Sequence, residues 1–368
     1  MKKYSFVIPA YNNKILLKNT LEALNYQKGF GREDYEAVVV DDGSESPLYE
    51  YIRDVNKNYT LKYIYLQRDE LSCRSRTRNF GCKLAEGEYI IFIDSDILVR
   101  EDYLLELERC YSVRKDMAVI GTRLNLNNEI SYNSVADGSV FNKYRFDTVG
   151  FDQYEIRHFM FDEMSYNLYS ETPPWIKFYS CNAVVPKWCF DKTGGFDEEY
   201  KGWGMEDNDL GYRLYKEGLK MIASSKMEAL HQFHGTSDPF AVPVDRSNEH
   251  RRNIDYFIDK FPEAFIFPRA AVYDLFEGRG KDILRPDKPP AEKISIKFSE
   301  ISKLNDIKSA ILELCEKDNL EIVVEDYVEA TDLDIWIQLL ESPRSIPKYY
   351  PMSKRFKKDQ VNIEASRD

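Results

Sequence analysis

The sequence is short of several things that would mark common functional classes. Its 368 residues include six cysteines (Cys73, Cys82, Cys110, Cys181, Cys189, Cys315), which form no CxxC pair and keep no regular spacing. They read as reduced, partly buried thiols with no disulfide framework, which points to the cytoplasm. No apolar run approaches the roughly 20 residues of a membrane span. The opening MKKYSFVIPAYNN has only a short apolar stretch, broken by Pro9 and followed by Asn12 and Asn13. It reads as a first strand and not as a signal peptide. Basic residues are outnumbered, 51 Lys and Arg against 63 Asp and Glu, for a net charge of −12. Such a balance argues against nucleic acid as the main partner. An anionic nucleotide would still bind if a divalent cation or a local basic patch intervened.

What is present suits one large globular core: 43% apolar and 14% aromatic residues. Over the first 125 residues, strand and helix patterns alternate. Tyr4–Pro9, Glu36–Asp42 and Tyr89–Asp96 are short apolar runs, and the intervening segments have helical spacing. Continuous apolar strands separated by helices predict a parallel sheet covered on both faces, an α/β fold. Residues 125–175 are polar, aromatic and poorly periodic, and read as a mobile or substrate-facing segment. Regular patterns return with FYSCNAVVP, GGFDEEYKGWGMEDNDLGYRLYKEG and EALHQFHG. A helix of mostly surface character is predicted over Asp245–Phe261. A basic, Pro-rich link at Arg285–Lys293 then marks a boundary. Beyond it, KISIKF, a helix over Asp306–Lys317 and LEIVVED predict a small α/β extension.

Acids gather where strands end, the place at which ligands bind an open parallel sheet. Asp41 and Asp42 close one strand, and Asp94 and Asp96 another. Two apart on extended chain, Asp94 and Asp96 face the same side while Ser95 faces away. Their repulsion calls for a hard divalent ion, Mg²⁺ or Mn²⁺, unless they are solvated loop residues or helix caps. A helix over Glu206–Glu217 would carry Leu210 and Leu214 on its apolar face, with Asp207 on the same inward side. A carboxylate there needs a cation, a donor or a reaction to justify it. Asp209 and Arg213, four apart, read as a surface ion pair. Charge complementing a helix N-terminus would explain Glu206, Asp207 and Asp209, but not the Gly-Trp-Gly that precedes them.

PAYNN, VVVDDGS and RSRTRNFGCKLAEGEYIIFIDSD, in that order over roughly the first 100 residues, resemble the nucleotide-sugar half of GT-A-fold family 2 glycosyltransferases. The resemblance implies that Pro9, Ala10 and Tyr11 line a nucleoside pocket and that Asp41 bonds the base or ribose. Arg74 and Arg78 would lie near the nucleotide, and Asp94, Ser95 and Asp96 would form the DxD motif for metal and ribose. GGFDEEYKGWGMEDNDLGYRL resembles the acceptor-side motif of β-1,4-galactosyltransferases and bacterial chondroitin polymerases, which usually has a Gly where Met205 stands. That likeness makes Trp203 the platform for the acceptor sugar and Asp207 the general base. Glu206 would orient the acceptor, and Asn182 would sit against the donor sugar. An HQ pair in the polymerases corresponds to His231 and Gln232, making His231 a third metal ligand after Asp94 and Asp96. His234 reads as a packed or solvated ring, and His158 and His250 have no supporting context.

The implied organisation is a core over 1–244, with a nucleotide-sugar half (1–125) and an acceptor half (126–244). A closing helical segment (245–284) and the extension (285–368) follow. The implied activity is inverting, metal-dependent transfer of a hexose or N-acetylhexosamine from a UDP-sugar to a glycan or lipid-linked glycan, with Mn²⁺ or Mg²⁺ as cofactor. Retaining relatives of similar fold carry Asn at the place of Asp207. Two other readings stand beside it: a catalytically silent binding subunit of a synthase, and a sugar-phosphate nucleotidylyltransferase. The second would be expected to open with a Gly-rich phosphate loop, which PAYNN does not supply. SKRFKK (Ser353–Lys358) reads as a solvated tail or as a contact with anionic lipid at the inner face of a membrane. The transferred sugar, the acceptor linkage and the oligomeric state are left open.

Overall fold

The computed structural model describes residues 2–356 except 56, 171–172, 236–243, 266–268, 277–291 and 342. The main sheet has seven strands: β1 (Tyr4–Ala10), β2 (Tyr35–Asp41), β3 (Thr60–Tyr65), β4 (Tyr89–Ile93), β6 (Met117–Ile120), β8 (Asn182–Pro186) and β9 (Lys220–Ala223). Their order is β3-β2-β1-β4-β8-β6-β9. All neighbours run parallel except β8, which is antiparallel to both β4 and β6. Alternate residues of the central strands enter two separate cores. Phe6, Ile8, Val39 and Ile91 pack on one face with Leu17 and Leu21 of the Lys14–Ala23 helix. Val7, Val40, Ile90 and Phe92 pack on the other. Burial on both faces is why these strands are mostly apolar, with Ser5, Glu36 and Asp41 as buried polar exceptions. Gly81 lets the Arg74–Leu84 helix lie flat on the sheet, since a Cβ there would sit 2.5 Å from Val7 Cγ1.

A second sheet joins β5 (Ile97–Leu98), β10 (Ala229–His231) and β7 (Arg123–Asn125) in the order β5-β10-β7. Its register sets Ile97 opposite His231 and Asn125 beside His231. Residues 125–170, expected to be mobile or substrate-facing, instead build a satellite core on this sheet. Val135, Val140, Tyr144, Phe146 and Tyr154 pack with Leu98, Leu124 and Leu230. Its helices are five to eight residues long, too short to establish a period in the sequence.

The closing helix runs Val244–Lys260, and its Ile254 and Phe257 are fully buried. Phe257 stacks on Trp175 at 5.5 Å. The extension holds a parallel sheet of β11 (Glu292–Phe298), β12 (Leu320–Asp326) and β13 (Lys348–Pro351), with helices at Leu304–Cys315 and Leu333–Gln338. It is joined closely to the core. Gln338 exchanges two hydrogen bonds with the Ala223 backbone, at 2.8 and 2.9 Å. The start of SKRFKK is docked through Lys354 and Phe356, while Ser353 and Arg355 are exposed. Lys354 reaches Glu228 at 2.9 Å, and Phe356 stacks on Phe159 at 5.2 Å. Lys357 and Lys358 of that motif, and most of the Pro-rich link, lie outside the described residues. Among the described residues no helix is long and apolar enough to cross a membrane.

Candidate active site

The ends of β1, β2 and β3 form one wall. Tyr11, just past β1, is exposed, with the Arg68 guanidinium 4.2 Å from its ring centre. Arg68 also pairs with Asp42 at 3.2 Å. Burial raises the Asp42 carboxyl above the usual range, and Arg68 opposes the rise. Arg68 was not anticipated; its only signal is a position three residues beyond a parallel strand. Pro9 and Ala10 close β1 beneath Tyr11. The role expected of Asp41 needs correcting. Its buried carboxylate accepts from Ser44 N, Ser44 Oγ, Leu48 N and Tyr63 Oη, at 2.6–3.0 Å. Those four bonds fold the β2 turn and leave no oxygen for a base or ribose.

At the end of β4, Asp94 and Asp96 part company. Asp94 accepts from Arg78 Nη2 at 3.0 Å. Asp96 Oδ2 lies 3.4 Å from His231 Nε2 and 3.3 Å from His234 Nε2. Ligand atoms of Asp96, His231 and His234 all fall within 4.8 Å of one another. The sequence favours His231 as the ligand and leaves the choice between it and His234 open; the turn after β10 brings both to Asp96. His231 Nδ1 faces Asn125 Oδ1 at 3.2 Å. A proton on Nδ1 would satisfy that contact and leave Nε2 free as a ligand. Burial works to raise the Asp96 carboxyl, but its hydrogen bond and charge pairing with His231 prevail and hold it low. The hydrogen bond to Asp96 raises His234. Asp96 Oδ1 is buried without a hydrogen-bond partner among the described residues. Two imidazole nitrogens, a carboxylate and an orphaned oxygen suit a divalent ion. Asp94 stands outside this trio. Ser95 is buried and takes a hydrogen bond from Asn13.

The Gly-Trp-Gly motif is brought to the end of β4 through Arg78, which lies 3.0 Å from Asp94 and 3.6 Å from Glu206. Gly202, Gly204 and Met205 all have positive φ, of 76°, 91° and 74°. Met205 therefore occupies a conformation that favours glycine, which explains the residue the motif usually carries there. The loop is fastened by Asn253 of the closing helix, whose amide donates to the carbonyls of Lys201, Trp203 and Gly204 at 2.9–3.2 Å. His250, on the same helix, meets the Trp203 ring edge-on at 4.8 Å.

The helix that follows spans Glu206–Lys216, with Leu210 and Leu214 fully buried. Glu206 lies 3.6 Å from Arg78 Nη1. Burial raises the Glu206 carboxyl, Asp207 adds to the rise, and Arg78 and then Arg74 oppose it. Asp207 Oδ1 is buried without a hydrogen-bond partner among the described residues. Arg74 is exposed at the start of its helix.

Two further expectations need correction. Asp209 and Arg213 do pair, Nε to Oδ1 at 2.6 Å, but Asp209 is fully buried and also holds Lys260 at 2.6 Å. The pair ties this helix to the closing helix. Asn182, expected against the donor sugar, is wholly engaged. It donates to Thr122 O and Met227 O and accepts from Tyr103 Oη, at 2.7–2.8 Å. Its amide bolts β8 to neighbouring loops.

Comparison with known proteins bears on the family resemblance and the fold. The sequence model described as glycosyl transferase family 2 matches residues 5–169, and that for the N-terminal domain of galactosyltransferase matches 160–235. Validoxylamine A glucosyltransferase of Streptomyces hygroscopicus is 28% identical over 279 residues, covering 70% of this chain and 61% of that protein. Chondroitin synthase of Escherichia coli is 31% identical over 248 residues, covering 62% of this chain and 34% of that protein. The chain thus spans less than two thirds of the length of these relatives. The crystal structure of residues 1–349 of Staphylococcus aureus TarS has a TM-score of 0.51 at 15% identity, covering 85% of this chain and 80% of that one. It shares the fold, a GT-A arrangement of mostly parallel strands. Residues 5–169 thus resemble the family 2 glycosyltransferases, and residues 160–235 the galactosyltransferases.

Proposed function

We propose that this chain is an inverting, metal-dependent glycosyltransferase that moves a hexose or N-acetylhexosamine from a UDP-sugar to a hydroxyl of a glycan or lipid-linked glycan. The observation that carries this reading is the position of Arg78. Its guanidinium touches Asp94 at the end of β4 and Glu206 at the head of the acceptor-side helix. Motifs more than 100 residues apart in sequence thereby share one site. On one side stand Tyr11, Arg68 and Asp42 for the nucleoside. On the other, Asp207 offers an unpartnered carboxylate oxygen beside the Trp203 loop.

The chemistry follows from that arrangement. An acceptor hydroxyl stacked near Trp203 gives its proton to Asp207 as its oxygen bonds to the anomeric carbon. The bond from that carbon to the diphosphate oxygen breaks on the opposite face, which inverts the centre. Asp96, His231 and His234 would hold a divalent ion, Mn²⁺ or Mg²⁺, which when bound supplies positive charge for the departing diphosphate. Two imidazoles in the set favour a transition ion such as Mn²⁺ over Mg²⁺.

Calorimetric titration of UDP into metal-stripped protein, with and without Mn²⁺, tests the donor site. Binding that needs Mn²⁺ is expected; binding indifferent to it would remove the metal from the reading. Transfer is then assayed with Asp207→Asn. The variant should bind UDP as before and lose about 10²–10⁴-fold in rate. Full activity in it would dismiss Asp207 as the base, and no turnover of any UDP-sugar by the parent protein would leave a binding subunit.

A further inference from the structure

Arg123 is placed for a ligand that the protein itself does not supply. It sits on β7 two residues before Asn125, so both side chains leave the strand on the same face. Asn125 is the residue that faces His231 Nδ1, and this puts Arg123 on the metal-ligand side of the small sheet. Its charge acts on Asp94 and Asp96. Three quarters of its side chain is covered, at 25% exposure.

A guanidinium in such a place normally finds acceptors for its five N–H bonds. Arg109 of this chain shows the filled case. It bonds both oxygens of Glu106, both of Asp334 and the carbonyl of Thr331, at 2.6–2.8 Å. Arg123 has one ion-pair partner among the described residues, Glu155, 3.2 Å from Nε and poorly aligned for a hydrogen bond. The terminal nitrogens have no acceptor among those residues. Glu155 is itself shared with the buried Arg157, whose Nε donates to it at 2.8 Å. With Glu155 shared between two guanidinium groups, the terminal N–H donors of Arg123 are left without an acceptor among the described residues. An oxyanion with several acceptors, arriving beside the metal ligands, would take up those donors.

We propose that Arg123 is a donor-binding residue that grips the β-phosphate of the nucleoside diphosphate, with Glu155 as its positioning residue. The inference rests on the UDP-sugar reading above. It gives the site a fixed cation for the leaving group in addition to the exchangeable one.

The test compares UDP with UMP, which lacks the β-phosphate, by calorimetry in Mn²⁺ on the parent protein, Arg123→Gln and Arg123→Lys. Arg123→Gln should weaken UDP about 10–100-fold, the range of a charge-assisted hydrogen bond, and leave UMP within about twofold. Arg123→Lys, which keeps the charge and loses the fork, should fall between. Unchanged UMP affinity doubles as the check that the variants are folded. Equal losses for UDP and UMP would make Arg123 merely structural and overturn the proposal, as would unchanged UDP affinity. If the parent protein binds neither nucleotide, the donor reading falls first, and this proposal with it.

Discussion

Replacing Arg78 by Met should expose how strongly the site depends on one buried cation. Arg78 has Asp94 at 3.0 Å and Glu206 at 3.6 Å, and the charges of Arg74 and Asp207 also act on Glu206. Methionine keeps most of the volume and removes the charge, leaving Glu206 and Asp207 opposed chiefly by the more distant, exposed Arg74. Removing one partner of a buried ion pair costs about 3–5 kcal/mol. The loss should depend on pH, and its sign follows from Glu206. Its folded pKa is already raised by burial and by Asp207. Between the unfolded carboxyl value near 4.3 and the raised folded value, the native state holds a proton that the unfolded chain has released. Stability therefore falls by about 1.4 kcal/mol per pH unit across that window. Without Arg78 the folded value climbs further and the window widens upward. Urea denaturation of metal-free protein should show the variant about 3–5 kcal/mol less stable than the parent at pH 8. At lower pH the gap should narrow, because protonation of Glu206, favoured by burial and by Asp207, reduces its need for the cation. A gap that does not change with pH, or one below ~1 kcal/mol at pH 8, would refute the electrostatic account.

Met205 offers a reversal of the usual helix-residue ranking. Its left-handed backbone costs ~1–2 kcal/mol in any L-residue, while glycine gives back ~0.4–1 through the unfolded chain. Met205→Gly should therefore be more stable than Met205→Ala by about 0.5–1 kcal/mol, although both lose the buried thioether. Equilibrium unfolding showing Ala above Gly would contradict the strain at this position. Asn125→Ala removes the contact on His231 Nδ1 and should weaken Mn²⁺ binding about 10–100-fold. Mn²⁺ titration followed by electron paramagnetic resonance reads this directly, and an unchanged affinity would mean that Asn125 does not orient the imidazole. Phe356→Ala strips the ring that stacks on Phe159 and meets Tyr154 edge-on at 4.9 Å. It should cost about 2 kcal/mol and speed amide exchange over residues 146–163 while sparing β1–β4. Faster exchange throughout the core would show the tail to be a general brace and not a local one.

How much of this was legible in the sequence depended on whether a residue's role is local. β1, β2 and β4 declared themselves because both faces are buried, so apolar residues run almost continuously along them, with Ser5, Glu36 and Asp41 as the polar exceptions. The Glu206–Lys216 helix was readable from Leu210 and Leu214. The antiparallel setting of β8 was not, since FYSCNAVVP reads the same in either direction of pairing. Asp41 and Asn182 were misread for a shared reason. Polar residues in a functional motif look available for ligand, but Asp41 spends four acceptor positions on its own turn and Asn182 ties three segments together. Asp209 was misjudged because an i,i+4 pair is drawn the same way on a buried face as on an exposed one. Lys260, which buries it, lies 51 residues away. His234 depended on a turn that sequence spacing does not specify, and Asn253 on a helix docking across the acceptor loop.

Charge explains why these separate pieces operate as one site. Asp94 and Asp96 follow the end of a strand, Glu206 and Asp207 open a helix, and Arg78 touches both Asp94 and Glu206. An anionic diphosphate entering that field is repelled unless cations stand between it and the acids. In the proposed reaction Asp96, His231 and His234 would retain one such cation, and Arg123 lies on the same side of the small sheet. Asp207 has a different requirement. As the proposed base it would have to remain ionised to take a proton, so the cations would have to screen the diphosphate without pairing with Asp207. The geometry meets both conditions: Arg78 is committed to Asp94 and Glu206, while Asp207 Oδ1 is left without a partner among the described residues.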